Sequence, residues 1–423
     1  MNWQKKLLQT LVVAVGYLPF AGSAAAADES SWMEWVEVDG WVEGARSVRI
    51  RSPHDALMSR VWGRLKLSAE VDDVYAHLSV DAQKNWRVED ETGIDLHEIW
   101  AEYTAEGWDV RVGRQVIIWG KADGVQITDI VSPPDYTEFI TRDLEEIRLP
   151  VDAVKFRLLG DEVDMELIWI PVFRSAVQPS ADNPWALEQD IPNDVRVMVS
   201  PVDEPETSLE NSEIALRVSA FWSGLDVAVS VFHTWDDNPA MHRTITGNDE
   251  GEVEIHFSPE HHRMTVFGLE FSRPLSDFVF RGEAAYYLGR FFEPRSITGN
   301  PFEKNALQWL GGVDWTPGND WSMITQLTGT AVVDHESEMA AEKHAMSATL
   351  HVSKKLMRQT LTLSNMLYYD IGEQDFFDQI KAEYAVRDDL HLFAGVDVFG
   401  GGGNSFGRYR DNSQIWVKAK YSF

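Results

Sequence analysis

Alternation of apolar and polar residues with period two runs through nearly the whole chain. In the last segment Ile415, Val417, Ala419, Tyr421 and Phe423 share one side of an extended strand, and Gln414, Trp416, Lys418, Lys420 and Ser422 share the other, because successive side chains alternate across a pleat. Val74, Ala76, Leu78, Val80 and Ala82 oppose Tyr75, His77, Ser79, Asp81 and Gln83 in the same way, and Met346, Ala348, Leu350 and Val352 oppose Ser347, Thr349, His351 and Ser353. No helical stripe competes with this pattern. It predicts eighteen strands, over 34–43, 59–70, 73–83, 94–105, 107–118, 152–159, 163–170, 213–222, 225–235, 262–273, 278–289, 306–315, 320–330, 345–355, 358–369, 377–386, 389–399 and 413–423. Residues 252–258 read as a further hairpin within a loop.

The connections between these strands alternate between short and long. Such alternation, with an unbroken apolar side and an aromatic end, predicts an all-β fold: an antiparallel transmembrane β-barrel with short periplasmic turns and long extracellular loops. Sixteen strands is the competing count. An even number places both ends of the barrel on the periplasmic side. A large soluble sandwich would have to bury its apolar faces against each other and gains nothing from loops of alternating length. Trp35, Trp41, Trp108, Trp119, Trp169, Trp222, Trp235, Phe278, Trp315, Trp321 and Phe423 near strand ends are candidates for the aromatic girdles at the two interfaces.

Lys5 and Lys6 precede an apolar run, Leu7 to Phe20, and then Ala-Gly-Ser-Ala-Ala-Ala-Ala before Asp28. This is the pattern of a secretory signal peptide, residues 1–27, cut after Ala27. Residues 28–423 are then a single outer-membrane barrel domain, because no later stretch reaches the roughly 20 apolar residues of a membrane helix. Without the leader the chain has 35 basic against 68 acidic residues, which argues against a nucleic-acid partner. There is no cysteine, so disulfides and thiolate metal sites are excluded.

About eighteen strands enclose an aqueous interior. By alternation its wall carries Arg64, Lys66, Asp81, Glu98, Glu102, Asp109, Arg111, Lys155, Arg157, Glu166, Arg217, Arg281, Glu283, Lys381, Glu383, Lys418 and Lys420, a set of mixed sign. The surplus acid lies in the loops, chiefly 171–212 and 236–261. Two readings of this rim stay open: a solvated surface bridged by divalent cations to lipopolysaccharide, or a vestibule that enriches cations. The loop 119–151 is different in kind. It combines Lys121, Asp123, Asp129, Arg142, Asp143, Glu145, Glu146 and Arg148 with Val125, Ile127, Ile130, Val131, Phe139, Ile140, Leu144 and Ile147. So greasy a loop is expected to fold into the lumen as a constriction, with a short helix within 137–147; packing over the mouth as a lid is the alternative.

The run Gly113-Arg-Gln-Val-Ile-Ile-Trp-Gly120, continuing to Asp129-Ile130 and closing at Arg148-Leu149-Pro150, resembles an uncharacterised family of Gram-negative outer-membrane β-barrels with a GRQ…WG motif. That family is distantly similar to porins and alginate-export-type barrels. The resemblance covers roughly 108–172 and implies location and architecture, with a link to envelope transport of lipidic or hydrophobic compounds, but no substrate. It also implies that barrel-assembly machinery recognises the aromatic end at Phe423. Gly113 and Gly120 are expected to allow bends. Arg114 points to lipid by strict alternation, so it is expected to turn inward and brace the third loop.

Catalytic patterns are lacking: there is no G-x-S-x-G elbow, H-E-x-x-H pair, Walker loop or EF-hand. His261-His262 reads as a surface pair, and Gly400-Gly-Gly-Gly403 as a flexible outer loop. No enzyme, metal or cofactor is expected. The expected function is a porin-like channel for passive diffusion or transport of small or hydrophobic solutes, in contact with outer-membrane lipid and lipopolysaccharide. The alternative is a non-conducting barrel that partners an envelope transport or secretion assembly. Oligomeric state is not readable from the chain.

Overall fold

The computed structural model describes residues 35–186, 195–247 and 253–423, without the side chains of Leu144, Glu145 and Val253. The predicted leader lies outside the described residues. The barrel unit is Val38–Phe423.

Eighteen strands form one closed antiparallel sheet. In chain order they are β1 (Val36–Arg49), β2 (Ser59–Val71), β3 (Val74–Asn85), β4 (Gly93–Ala105), β5 (Trp108–Gln115), β6 (Val151–Leu158), β7 (Val163–Ile170), β9 (Glu213–Trp222), β10 (Leu225–Trp235), β13 (Arg263–Leu275), β14 (Phe278–Phe292), β15 (Phe302–Gly318), β16 (Trp321–Val332), β17 (His344–Leu356), β18 (Leu361–Asp370), β19 (Asp375–Arg387), β20 (Leu390–Gly400) and β21 (Gln414–Ser422). Each pairs with the next, and β21 closes on β1 from Trp41↔Ser422 to Arg49↔Gln414. A second sheet of three strands stands apart, β8 (Val195–Val199), β11 (Ala240–Gly247) and β12 (Val253–Glu260). The expected hairpin near 252–258 is β11–β12, and β8 joins it in parallel.

The exposed side of each strand is apolar, as at Leu65, Val112, Leu167, Val229, Leu269, Ile380, Ile415 and Val417. The opposite side is polar over most of the ring and faces the lumen. No helix among the described residues is long and apolar enough to cross a membrane. Rings decorate the outer face near its edges. Trp108 lies 5.5 Å from Tyr103 and 5.9 Å from Phe156, and Phe278 stacks on Trp315 at 5.9 Å. Two expected girdle members are elsewhere. Trp41 meets Trp62 edge-to-face at 4.9 Å on the lumen side, and Trp119 is buried within the barrel. Both lie near strand ends in sequence, but the first has inward parity and the second has left the sheet.

Several boundaries differ from the pattern. β1 runs six residues past the expected 43, where Arg46, Ser47 and Arg49 break the apolar–polar contrast of the two faces, and β14 and β15 also overrun. β5 stops at Gln115, not 118: Val116 N–H donates to Glu98 (2.8 Å) and Ile117 N–H to Ser132 Oγ (2.9 Å), so the chain peels inward. Of the helix expected within 137–147 only one turn forms, Leu144–Ile147. The Gly400–Gly403 run is not a loose loop. It wraps the Asp375 carboxylate, which accepts from the N–H groups of Gly403 (2.8 Å), Ser405 (3.2 Å) and Gly407 (2.9 Å). At Gly401, φ +106°, an added Cβ would sit 2.0 Å from that carboxylate.

Candidate functional site

Lumen-facing charges pair across strands: between adjacent strands, where opposed or diagonal side chains on one face lie close enough to bond, and, for Arg217 on β9 and Glu270 on β13, across the intervening β10. Arg64 chelates Asp81 (2.6 and 2.8 Å), Arg111 meets Glu102 (2.7 Å), Arg157 meets Asp109 (2.7 Å) and Arg217 meets Glu270 (2.7 Å). Arg281 is bonded to Asp314, Lys66 reaches Asp39 (3.5 Å), and Glu383 holds His391 (2.8 Å). Arg111 also lies 3.7 Å over the ring of Trp100, and Lys420 4.6 Å over Trp41. Lys155 is buried between these rows. One inward group escaped strict alternation: a register shift after Ser79 turns His97 toward Asp81, 3.8 Å away.

The connection 116–150, between β5 and β6, enters this interior. Its first limb is held by wall acids. Glu166 accepts from Trp119 Nε1 (2.6 Å), and Glu283 on β14 accepts from the N–H groups of Lys121, Ala122 (2.6 Å) and Thr128 (3.1 Å) and from Thr128 Oγ1 (2.8 Å). Arg281 donates to the Lys121 carbonyl (2.7 Å), Gln326 to that of Asp123 (2.6 Å) and Tyr368 to that of Gly124 (2.9 Å). Asp123 also meets His351 Nδ1 (3.3 Å), the main cause of a carboxyl held below its usual range. Apolar side chains fill in behind: Ile127 and Val125 pack on Val266, Tyr287 and Leu310, while Ile117, Trp119 and Val131 pack on Ile168, Ile170 and Phe232. The wall is therefore apolar on its inner face where the loop covers it.

The second limb, 132–150, crosses to the other side. Glu138 is bonded to Arg60 on β2 and to Arg142 (3.1 Å), which also reaches Asp135 (2.9 Å) and Glu91 (3.6 Å). Burial raises the Glu138 carboxyl, but Arg142 and Arg60 together outweigh it and bring it to about 2. For Arg142, burial works against charge and the surrounding carboxylates outweigh it, so its pKa rises. Lys418 sits 3.2 Å from Glu43 and 4.0 Å from Glu146, and Lys381 3.8 Å from Asp143. Glu146 is pushed up by burial despite Lys418. Asp129 ties the two limbs together through Arg148 (2.7 Å) and the Trp119 N–H (3.0 Å), and burial raises its carboxyl too. Around the ring β2 is the second strand and β14 the eleventh of eighteen, so the loop is fastened to opposite walls. A cavity of about 110 Å³ remains between the second limb and β1, β19, β20 and β21, lined by Arg60, Glu146, Lys381, Lys418 and Lys420 among others.

Arg114 does not turn inward. It stays on the outer face at the long-loop rim and chelates Asp152, its register partner on β6 (2.9 and 3.0 Å). A carboxylate beside it removes the need for a bulge. Gly113 is where the backbone is special: φ is +132°, and a Cβ would lie 2.2 Å from the Ile99 carbonyl. The His261-His262 pair is not a surface pair either. His261 is buried, with Nδ1 on the Asp236 carbonyl (2.7 Å), and His262 stacks on Phe291 at 3.7 Å. Glu43 and Arg60 belong to the site and were not among the expected wall residues. Arg60 shares the parity of Arg64 and Lys66, which was a usable signal. Glu43 lies at the limit of the expected first strand, where the alternation gave none.

This closed eighteen-stranded barrel with an inward loop has the fold of outer-membrane porins. OpdL of Pseudomonas aeruginosa superposes with a TM-score of 0.53 at 10% identity, covering 92% of this chain and 98% of that one. The outer membrane channel DcaP of Acinetobacter baumannii (TM-score 0.46, 10% identity, 92% and 97% covered) and Salmonella typhi OmpF in complex with daunomycin (0.45, 10%, 92% and 97%) are similar at a lower level. The chain belongs to the DUF1302 family of proteins of unknown function, which matches residues 64–423. No curated protein matches it.

Proposed function

We propose that the protein is an outer-membrane, porin-like channel for small solutes, exported by a leader ending at Ala27, whose path is narrowed by residues 116–150. The observation that carries this reading is the fastening of one loop to β2 and β14, opposite walls of a lumen lined by paired charges. An outer face of Val, Leu, Ile and aromatic residues suits lipid. The long loops then face outward, with lipopolysaccharide and bridging cations at the acidic rim, and Phe423 is available to assembly machinery.

Planar-bilayer recording tests it. The intact protein should open in stable steps, and deletion of 125–147 should raise single-channel conductance; equal conductance would remove the constriction. The apolar packing of the first limb favours a second reading, an occluded barrel serving as the outer-membrane partner of a transport assembly. Silence of the intact protein, with open steps only after the deletion, would select that reading.

A further inference from the structure

The loop between β10 and β13 carries chemistry that the channel does not use. His242 on β11, Glu260 at the end of β12 and His262 just before β13 bring one ligand atom each to within 4.8 Å of the others. The two Nε2 atoms are 2.7 Å apart. Only one proton fits between two ring nitrogens at that distance, so in a neutral pair at least one Nε2 presents a lone pair to the gap. Tetrahedral zinc with Zn–N distances of about 2.05 Å places two imidazole nitrogens roughly 3.3 Å apart. The pair needs to open by only about 0.6 Å to accept the ion on that basis.

Neighbouring elements hold the donors. The His262 ring stacks on Phe291 with an interplanar angle of 14°, and His242 meets the same ring edge-on at 5.9 Å. The strand of His242 is tied to Glu293 by the Met241 N–H (2.8 Å) and by Arg243 (2.7 Å). Glu260 stands opposite Ala240 in the β11–β12 ladder. Both histidines are half-buried and the glutamate is exposed, which leaves a solvent side for entry and for a further ligand. Two imidazoles and a carboxylate are a donor set for zinc with an open fourth position.

We propose that His242, Glu260 and His262 form a three-ligand site for Zn²⁺ on the outer loop, open to one exogenous ligand. The test is titration calorimetry with ZnCl₂ on the full, untagged, chelator-stripped protein in detergent. One equivalent should bind with a micromolar or tighter Kd. His242→Ala and His262→Ala should each weaken it at least tenfold and Glu260→Gln by less, while His54→Ala, an exposed histidine of another loop, should leave it unchanged. Absence of saturable one-equivalent binding, or wild-type affinity in both histidine variants, overturns the site. If the alanine variants do not fold, zinc-edge absorption of the loaded wild type decides: two imidazoles in the shell support the site, and an oxygen-only shell rejects it.

Discussion

At the scale of single residues, three positions carry testable weight. Gly113 adopts a φ open to glycine alone among common residues, against the Ile99 carbonyl. Gly113→Ala should lower stability by about 1–3 kcal/mol, read as a fall in the urea midpoint of folding into vesicles. Arg114 and Asp152 are both partly exposed, and an exposed pair contributes about 1 kcal/mol or less; Arg114→Ala should barely move the same midpoint. Glu138 differs because it is buried between two arginines. Removing one partner of such a cluster costs about 3–5 kcal/mol, here charged against the seated loop, so Glu138→Ala should raise conductance. Its depressed pKa sets the sign with pH. A detached Glu138 takes up a proton near its ordinary 4.5, the seated one only near 2, so its contribution is complete above 4.5 and lost as pH falls toward 2. Conductance should step up in that window, and Glu138→Gln should abolish the step. Glu146 and Asp129 work oppositely: their raised values make the seated form hold its proton longer, so their contribution declines as pH rises past the ordinary carboxylate range.

At the scale of elements, the strands were legible and the loop only half so. Strands 213–222 and 225–235 match to the residue, because lipid on one side and water on the other impose period two. That contrast fades beyond the belt, which is why Gly44, Arg46 and Val48 on one face of β1 against Ala45 and Ser47 on the other did not read as strand. The loop's greasiness pointed inward, but its anchors could not be foreseen. Glu166 and Glu283 look like pore charges in the chain, and only the fold shows them bonded to Trp119, Lys121, Ala122 and Thr128. His97 needed a bulge that no pattern announces. Glu283→Ala takes the common acceptor from four donors of the first limb. It should give larger or noisier conductance steps while leaving the strand content in circular dichroism unchanged.

At the scale of the whole molecule, charge is divided in space. The wall is zipped into pairs, while the acid surplus of a chain with net charge −31 lies largely in the loops. Paired charges exert little net field, and the rim attracts cations over about a Debye length, roughly 8 Å at physiological salt. Reversal potentials should therefore show weak preference for K⁺ over Cl⁻, or none; strong Cl⁻ preference would contradict the arrangement. The same loop contacts also set an order of events in time. Lys121 meets Glu283 across 162 positions of chain, Asp123 meets His351 across 228 and Gly124 meets Tyr368 across 244. Such distant partners delay the closing steps of folding. The crossbar can be seated only once the C-terminal third of the sheet has been laid down, so a barrel caught before that moment is a wider and emptier vessel than the finished one.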